Sequence, residues 1–266
     1  MPDVTSDGAR LRYHVEGPAG RPALLLSHAL GTTSALWDPQ MPALVERFRV
    51  IRYDARGHGE STAPGPSTGS GQAEYTIDQL GRDAVAVLDA ADADSAHVCG
   101  LSLGGLTAIW LALNARSRVR RVVLANTAAR IGSVAFWQER IDLIRAQGLK
   151  PVADGAPVRW FTEGFRRDNP DLAVRFQQMV RSSSPSGYAA CAAALRDADL
   201  RPRLAEVAAP TLVIAGRFDP VTPPADADAL TAGISGAQSA VLEAAHFSNV
   251  ERAQDFTKAL LSFLDR

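Results

Sequence analysis

Cysteine is scarce: Cys99 and Cys191 are the only two in 266 residues. No CxxC pair or histidine-rich cluster accompanies them, so no metal is implied. Cys99 sits in an apolar run, where a small buried thiol fits, and both are read as reduced structural residues of a cytoplasmic protein. Excess charge of either sign is also missing, with 28 basic residues against 29 acidic ones. Without a net field, nucleic acid and anionic membranes are set aside as partners. No apolar run approaches the ~18 residues a membrane span needs. The opening stretch MPDVTSDGAR is polar and lacks the apolar centre of a signal peptide. Nothing in the composition bears on oligomeric state.

What is present is an ordinary globular composition, 46% hydrophobic, sufficient for a sizeable core. Short apolar runs at Ala23–His28, Phe48–Asp54, Ser95–Gly100 and Val119–Asn126 read as strands. The first and last are near-continuous Leu or Val, as in strands buried on both faces. Leu11–Gly17 reads as an outer antiparallel strand. Between the strands, Ile77, Leu80, Ala84, Leu88 and Ala91 recur at helical spacing, and Thr76 with Gln79 forms a capping-box pattern. Leu103–Ala115 is a second helix, apolar nearly all round and so expected to be buried. The alternation predicts an α/β protein whose mainly parallel twisted sheet carries helices on both faces.

The texture changes near Ile131. From 131 to 199 the chain reads as helical, with one helix through Trp137, Ile141, Ile144 and Leu149. Others are expected at Phe161–Phe165, Leu172–Val180 and Tyr188–Leu195, punctuated by Pro157, Pro170 and Pro185. Strands return at Ala209–Gly216 and Gln238–Ala244, and Ala253–Leu264 closes the chain as a helix. The expected division is therefore a core of 1–130 and 200–266 interrupted by a helical insertion, 131–199. Pro64–Gly71 reads as a flexible surface loop.

Gly100-Leu101-Ser102-Leu103-Gly104 fits G-x-S-x-G. It follows one predicted strand and opens one predicted helix, which is the context of a nucleophile elbow. The sharp turn demands small neighbours and lifts the serine hydroxyl out of the sheet. Serine needs a base, and the base needs an orienting acid. On a strand–helix sheet of this kind the order is Ser, then Asp or Glu, then His. Of the five histidines, only His246 follows Ser102, and it lies in a loop after the last strand. Asp219, just past the strand ending at Gly216, is the expected acid, ahead of Asp199, Glu243, Asp226 and Asp228. An oxyanion would rest on the N–H of Leu103 and on that of Leu30, in the turn after the first long strand. His28 and His58 read as structural residues of tight turns.

Four stretches, SHALGTTSALWD, YDARGHGEST, CGLSLGG and AGRFDPVTP, together with His246, resemble the α/β-hydrolase superfamily. The resemblance covers nearly the whole chain and implies that 131–199 is that superfamily's helical cap. One departure is Ala29, where many such proteins carry glycine after the histidine of this turn. A narrower resemblance, in SHALGTTSALWDPQMPAL and NTAARIGSVAFWQERI, is to the 3-oxoadipate enol-lactonases of the β-ketoadipate pathway of aromatic-compound catabolism. It implies opening of a small anionic lactone through an acyl-enzyme, with no metal or organic cofactor required. The substrate carboxylate would meet Arg140 or Arg130 near the start of the cap, with Trp137 as an apolar wall. A general carboxylesterase or perhydrolase remains open, as does a ligand-binding receptor on a hydrolase scaffold.

Overall fold

A computed structural model describes residues 2–63 and 73–265; the loop expected at Pro64–Gly71 lies outside the described residues. Eight strands form one sheet: β1 (Asp3–Ser6), β2 (Ala9–Glu16), β3 (Ala23–Ser27), β4 (Arg49–Tyr53), β5 (Ala96–Leu101), β6 (Val119–Ala125), β7 (Thr211–Gly216) and β8 (Gln238–Leu242). Their order is β1-β2-β4-β3-β5-β6-β7-β8. Only β2 runs against its neighbours; β4, β3, β5, β6, β7 and β8 are parallel. The stretch read as the outer antiparallel strand is thus second from the edge, covered by β1. A turn with Asp7 at φ 41° and Gly8 at φ 76° joins the two, as a tight hairpin requires.

Every residue of β3, β5 and β7 is buried, which explains their unbroken apolar character. α1 (Met41–Leu44) precedes β4, and α2 (Ile77–Ala90) begins at Thr76 with the complete capping box. α3 (Leu103–Asn114) is buried from Leu103 to Leu113 because it packs on β3, β5 and β6 and is covered in turn by α2. Gly81 of α2 allows this, since a Cβ there would strike the Trp110 ring.

Between β6 and β7 come six α-helices, α4 (Val134–Gln147), α5 (Lys150–Asp154), α6 (Ala156–Trp160), α7 (Glu163–Asp168), α8 (Pro170–Ser182) and α9 (Pro185–Asp197), and then a 3-10 helix, Arg201–Glu206. Two sequence expectations need correction here. Leu149 does not continue the first helix, which stops where Gly148 takes φ 69°, a left-handed residue that ends a helix. Phe161–Phe165 is not one helix either: Phe161 is extended at φ −133° and separates α6 from α7. Its ring packs on Phe165, Phe176 and Phe247, and this burial fixes the break. α10 (Pro224–Gly233), α11 (Ser248–Glu251) and α12 (Ala253–Leu264) complete the chain. Among the described residues no helix is long and apolar enough to cross a membrane.

Candidate active site

The chain passes from β3 outward to β4, then returns to place β5 on the other side of β3. Loops at the carboxyl ends of strands flanking such a reversal open a crevice. The β3 loop carries Leu30, and β5 ends one residue before Ser102.

Ser102 has φ 57° and ψ −116°, a conformation that costs a non-glycine residue roughly 1–3 kcal/mol. The surroundings hold it there. Its N–H donates to Ala125 O at 3.0 Å, and its carbonyl accepts from Thr127 Oγ1 at 2.7 Å and from Leu106 N at 3.0 Å. The neighbouring glycines answer to close packing. A Cβ on Gly100 would run into the Gly104 carbonyl, and one on Gly104 into the carbonyl of Ser27. Leu103 follows as the first residue of α3, so its N–H has no intrahelical acceptor. It is buried and is not among the residues lining the cavity described below. Leu30 does line that cavity, and among the described residues its N–H has no hydrogen-bond acceptor.

Two buried histidines shape the turn around Leu30. His28 Nε2 accepts the Ala55 N–H at 2.8 Å, and His58 Nε2 accepts the Gly31 N–H at 3.0 Å. Each ring therefore carries its proton on Nδ1, 2.9 Å from Ala29 O in His28 and 3.2 Å from Arg56 O in His58. Burial, reinforced by the adjacent His28, pushes His58 down to about 3. Both rings act as neutral struts between the loops after β3 and β4.

Asp219 and His246 lie past the ends of β7 and β8, and Asp219 Oδ2 is 2.8 Å from His246 Nδ1. The same oxygen accepts from Thr222 Oγ1 at 2.8 Å and from Asn126 Nδ2 at 3.0 Å. Oδ1 accepts the N–H groups of Val221 and Thr222 at 2.8 and 3.0 Å. Burial raises this carboxyl group, but the facing His246 and these donors outweigh it and hold Asp219 below the usual carboxylate range. The other acids weighed from sequence are engaged elsewhere or lie in another element. Asp199 pairs with Arg130 and Arg201, Glu243 with Arg217, and Asp226 and Asp228 lie in α10.

A cavity of about 310 Å³ brings Ser102, His246 and Leu30 of the core together with Trp137, Arg140 and Arg159 of the helical layer. Trp137 is held by an indole hydrogen bond to Ile131 O at 2.6 Å, and Arg140 lies over the Phe136 and Trp137 rings at 4.8 and 5.8 Å. Arg130 is not among the lining residues; its guanidinium pairs with Asp199 at 3.3 Å, so its expected place in the site is withdrawn. The helical layer also grips the loop that carries His246. Phe247 N–H donates to Trp160 O at 3.0 Å. Glu251 accepts from Ala245 N at 3.0 Å, and from Thr162 N and Oγ1.

Sequence reasoning missed Asn126 and Arg159. Asn126 stands one residue past β6 at φ 42°, a conformation asparagine tolerates better than most residues, but only the tertiary structure sets it against Asp219. Arg159 lies in a short helix without periodicity, so no local pattern marks it.

The family model described as alpha/beta hydrolase fold matches residues 22–253. The chain belongs to the α/β-hydrolase family. Within it, the chain is 44% identical over 264 residues to 3-oxoadipate enol-lactonase 2 of Acinetobacter baylyi, covering 99% of this chain and 96% of that one. It is 34% identical to a protein of Variovorax paradoxus named a putative carbamate hydrolase, with 96% of each covered. Among solved structures, the enol-lactonase from Burkholderia xenovorans superposes with a TM-score of 0.95 at 39% identity, over 100% of both chains. This α/β-hydrolase therefore shares its architecture with that enol-lactonase from end to end.

Proposed function

We propose that this chain is a serine hydrolase that opens 3-oxoadipate enol-lactone, with segment 131–199 as its substrate-binding cap. The observation that carries the reading is the Asp219–His246 pair, 2.8 Å apart, beside a cavity that Ser102 also lines. The full-length likeness to enol-lactonases supports the substrate.

Ser102 Oγ attacks the lactone carbonyl while His246 Nε2 removes its proton, Nδ1 being held by Asp219. The tetrahedral oxyanion rests on the N–H groups of Leu103 and Leu30. Collapse breaks the ring C–O bond and releases an enolate. The proton that His246 took from Ser102 passes to the enolate and ends on carbon, giving a ketone still tethered to Ser102 through the new ester and leaving His246 neutral again. Water, deprotonated by His246, then hydrolyses the ester and restores the hydroxyl. An enolate leaves more readily than an alkoxide, so little general-acid help is required. Trp137 walls the ring, and Arg140 supplies positive charge for the anionic substrate.

Initial rates on 3-oxoadipate enol-lactone and on p-nitrophenyl acetate test the reading. It predicts a much larger kcat/KM for the lactone. Turnover of the acetate alone would leave a general esterase in its place.

A further inference from the structure

Cap arginines are mostly neutralised within the chain. Arg145, Arg175, Arg181 and Arg196 each pair with a carboxylate. Among the described residues Arg140, Arg159 and Arg166 do not, and of these three Arg140 and Arg159 line the cavity over Ser102. Two unpaired cations in one partly dry cavity repel each other and lose hydration, a cost that a bound anion offsets. Burial, and then the facing Arg140, push the Arg159 guanidinium down in pKa, which agrees with that crowding.

The two arginines differ in how they are held. Arg140 lies over the half-exposed Phe136 ring and the buried Trp137 ring, and these ring contacts are what hold its guanidinium. Arg159 is fixed by Nη2 donating to Val152 O at 2.8 Å. The bend at Gly155 leaves room for its head, since a Cβ there would lie 2.6 Å from Nη1. Its neighbour Trp160 accepts the Phe247 N–H, and Phe247 follows His246 directly. A short, hydrogen-bonded path thus fixes Arg159 relative to the catalytic base.

We infer that Arg159 is a specificity-determining residue: it anchors the pendant carboxylate of the lactone, and Arg140 acts as a second attractor. The inference deepens the proposed function and rests on it for the substrate. The anion subsite itself rests only on the cavity. An anchor at fixed distance from His246 sets which carbonyl reaches Ser102, and a neutral ester of similar size lacks that handle.

The experiment uses adipate, a six-carbon dicarboxylate, as a competitive inhibitor of p-nitrophenyl acetate hydrolysis by the full chain. In Arg159→Gln the inhibition constant should rise about tenfold to a hundredfold, the weight of a charge-assisted hydrogen bond. That rise should exceed any change in KM for the acetate by about tenfold, and Arg159→Lys should recover part of it. The Arg140→Gln effect should be smaller. An unchanged inhibition constant in Arg159→Gln, a larger loss in Arg140→Gln, or no competition by adipate in the wild type would overturn the assignment. If adipate competes through Arg159 while the enol-lactone is not hydrolysed, the subsite stands and the proposed substrate falls.

Discussion

At the scale of single residues, one carboxylate oxygen organises the site: Asp219 Oδ2 receives donors from His246, Thr222 and Asn126. In the proposed mechanism Ser102 and His246 each make or break bonds, so Ser102→Ala and His246→Ala should each lower kcat by about 10⁴-fold or more. Asp219→Asn keeps the shape but loses the charge facing the imidazole, and should cost less than the serine change. Steady-state rates on one ester, with thermal melting as the folding control, check all three. Asn126→Ala should leave KM nearly unchanged and lower kcat about fivefold to tenfold, the weight of roughly one net hydrogen bond. A full-rate Asn126→Ala would show that Thr222 and the backbone hold Asp219 unaided.

At the scale of elements, the strand–turn–helix unit β5–Ser102–α3 was legible because its constraints are local. Glycine two places either side of a serine, between a buried strand and an apolar helix, has one geometric solution. The start of α2 was equally local, since Thr76 and Gln79 cap each other. What escaped depends on distant contacts. Asn126 meets Asp219 across 93 residues of sequence. The break at Phe161 follows from an aromatic cluster that includes Phe247. Arg130 and Arg159 could not be ranked without knowing that Asp199 neutralises the first. The local logic of the elbow carries its own prediction. Gly104→Ala adds a methyl against the Ser27 carbonyl, so α3 must shift off β3 and move the Leu103 N–H. It should destabilise the fold by about 1–3 kcal/mol, although alanine favours helices. It should also lower kcat; an unchanged melting temperature and rate would refute the close-approach account.

At the scale of the whole molecule, stability should fall in acid because neutral imidazoles are built into the interior. His58 drops from 6.5 unfolded to about 3 folded, with burial as the main cause. Burial likewise brings His97 to about 4. A depressed folded value means the unfolded chain binds the extra proton first. Their contribution is complete above pH 6.5 and is lost as pH falls toward these folded values. Each titrating ring adds a slope of at most about 1.4 kcal/mol per pH unit. Denaturant unfolding across this range should show His58→Gln flattening the slope by up to one proton. An unchanged slope would mean His58 is not held neutral. Because His58 accepts the Gly31 N–H, its protonation also frees the turn that carries Leu30, so activity should fall with stability.

The opening of a lactone expels no fragment, so the acyl-enzyme carries the whole substrate. Rapid quenching of the enzyme with 3-oxoadipate enol-lactone, followed by peptide mass mapping, therefore tests the central claim most directly. The account predicts a mass increase equal to the intact lactone on the peptide bearing Ser102, absent in His246→Ala. An adduct on another residue, or undiminished turnover by Ser102→Ala, would contradict it.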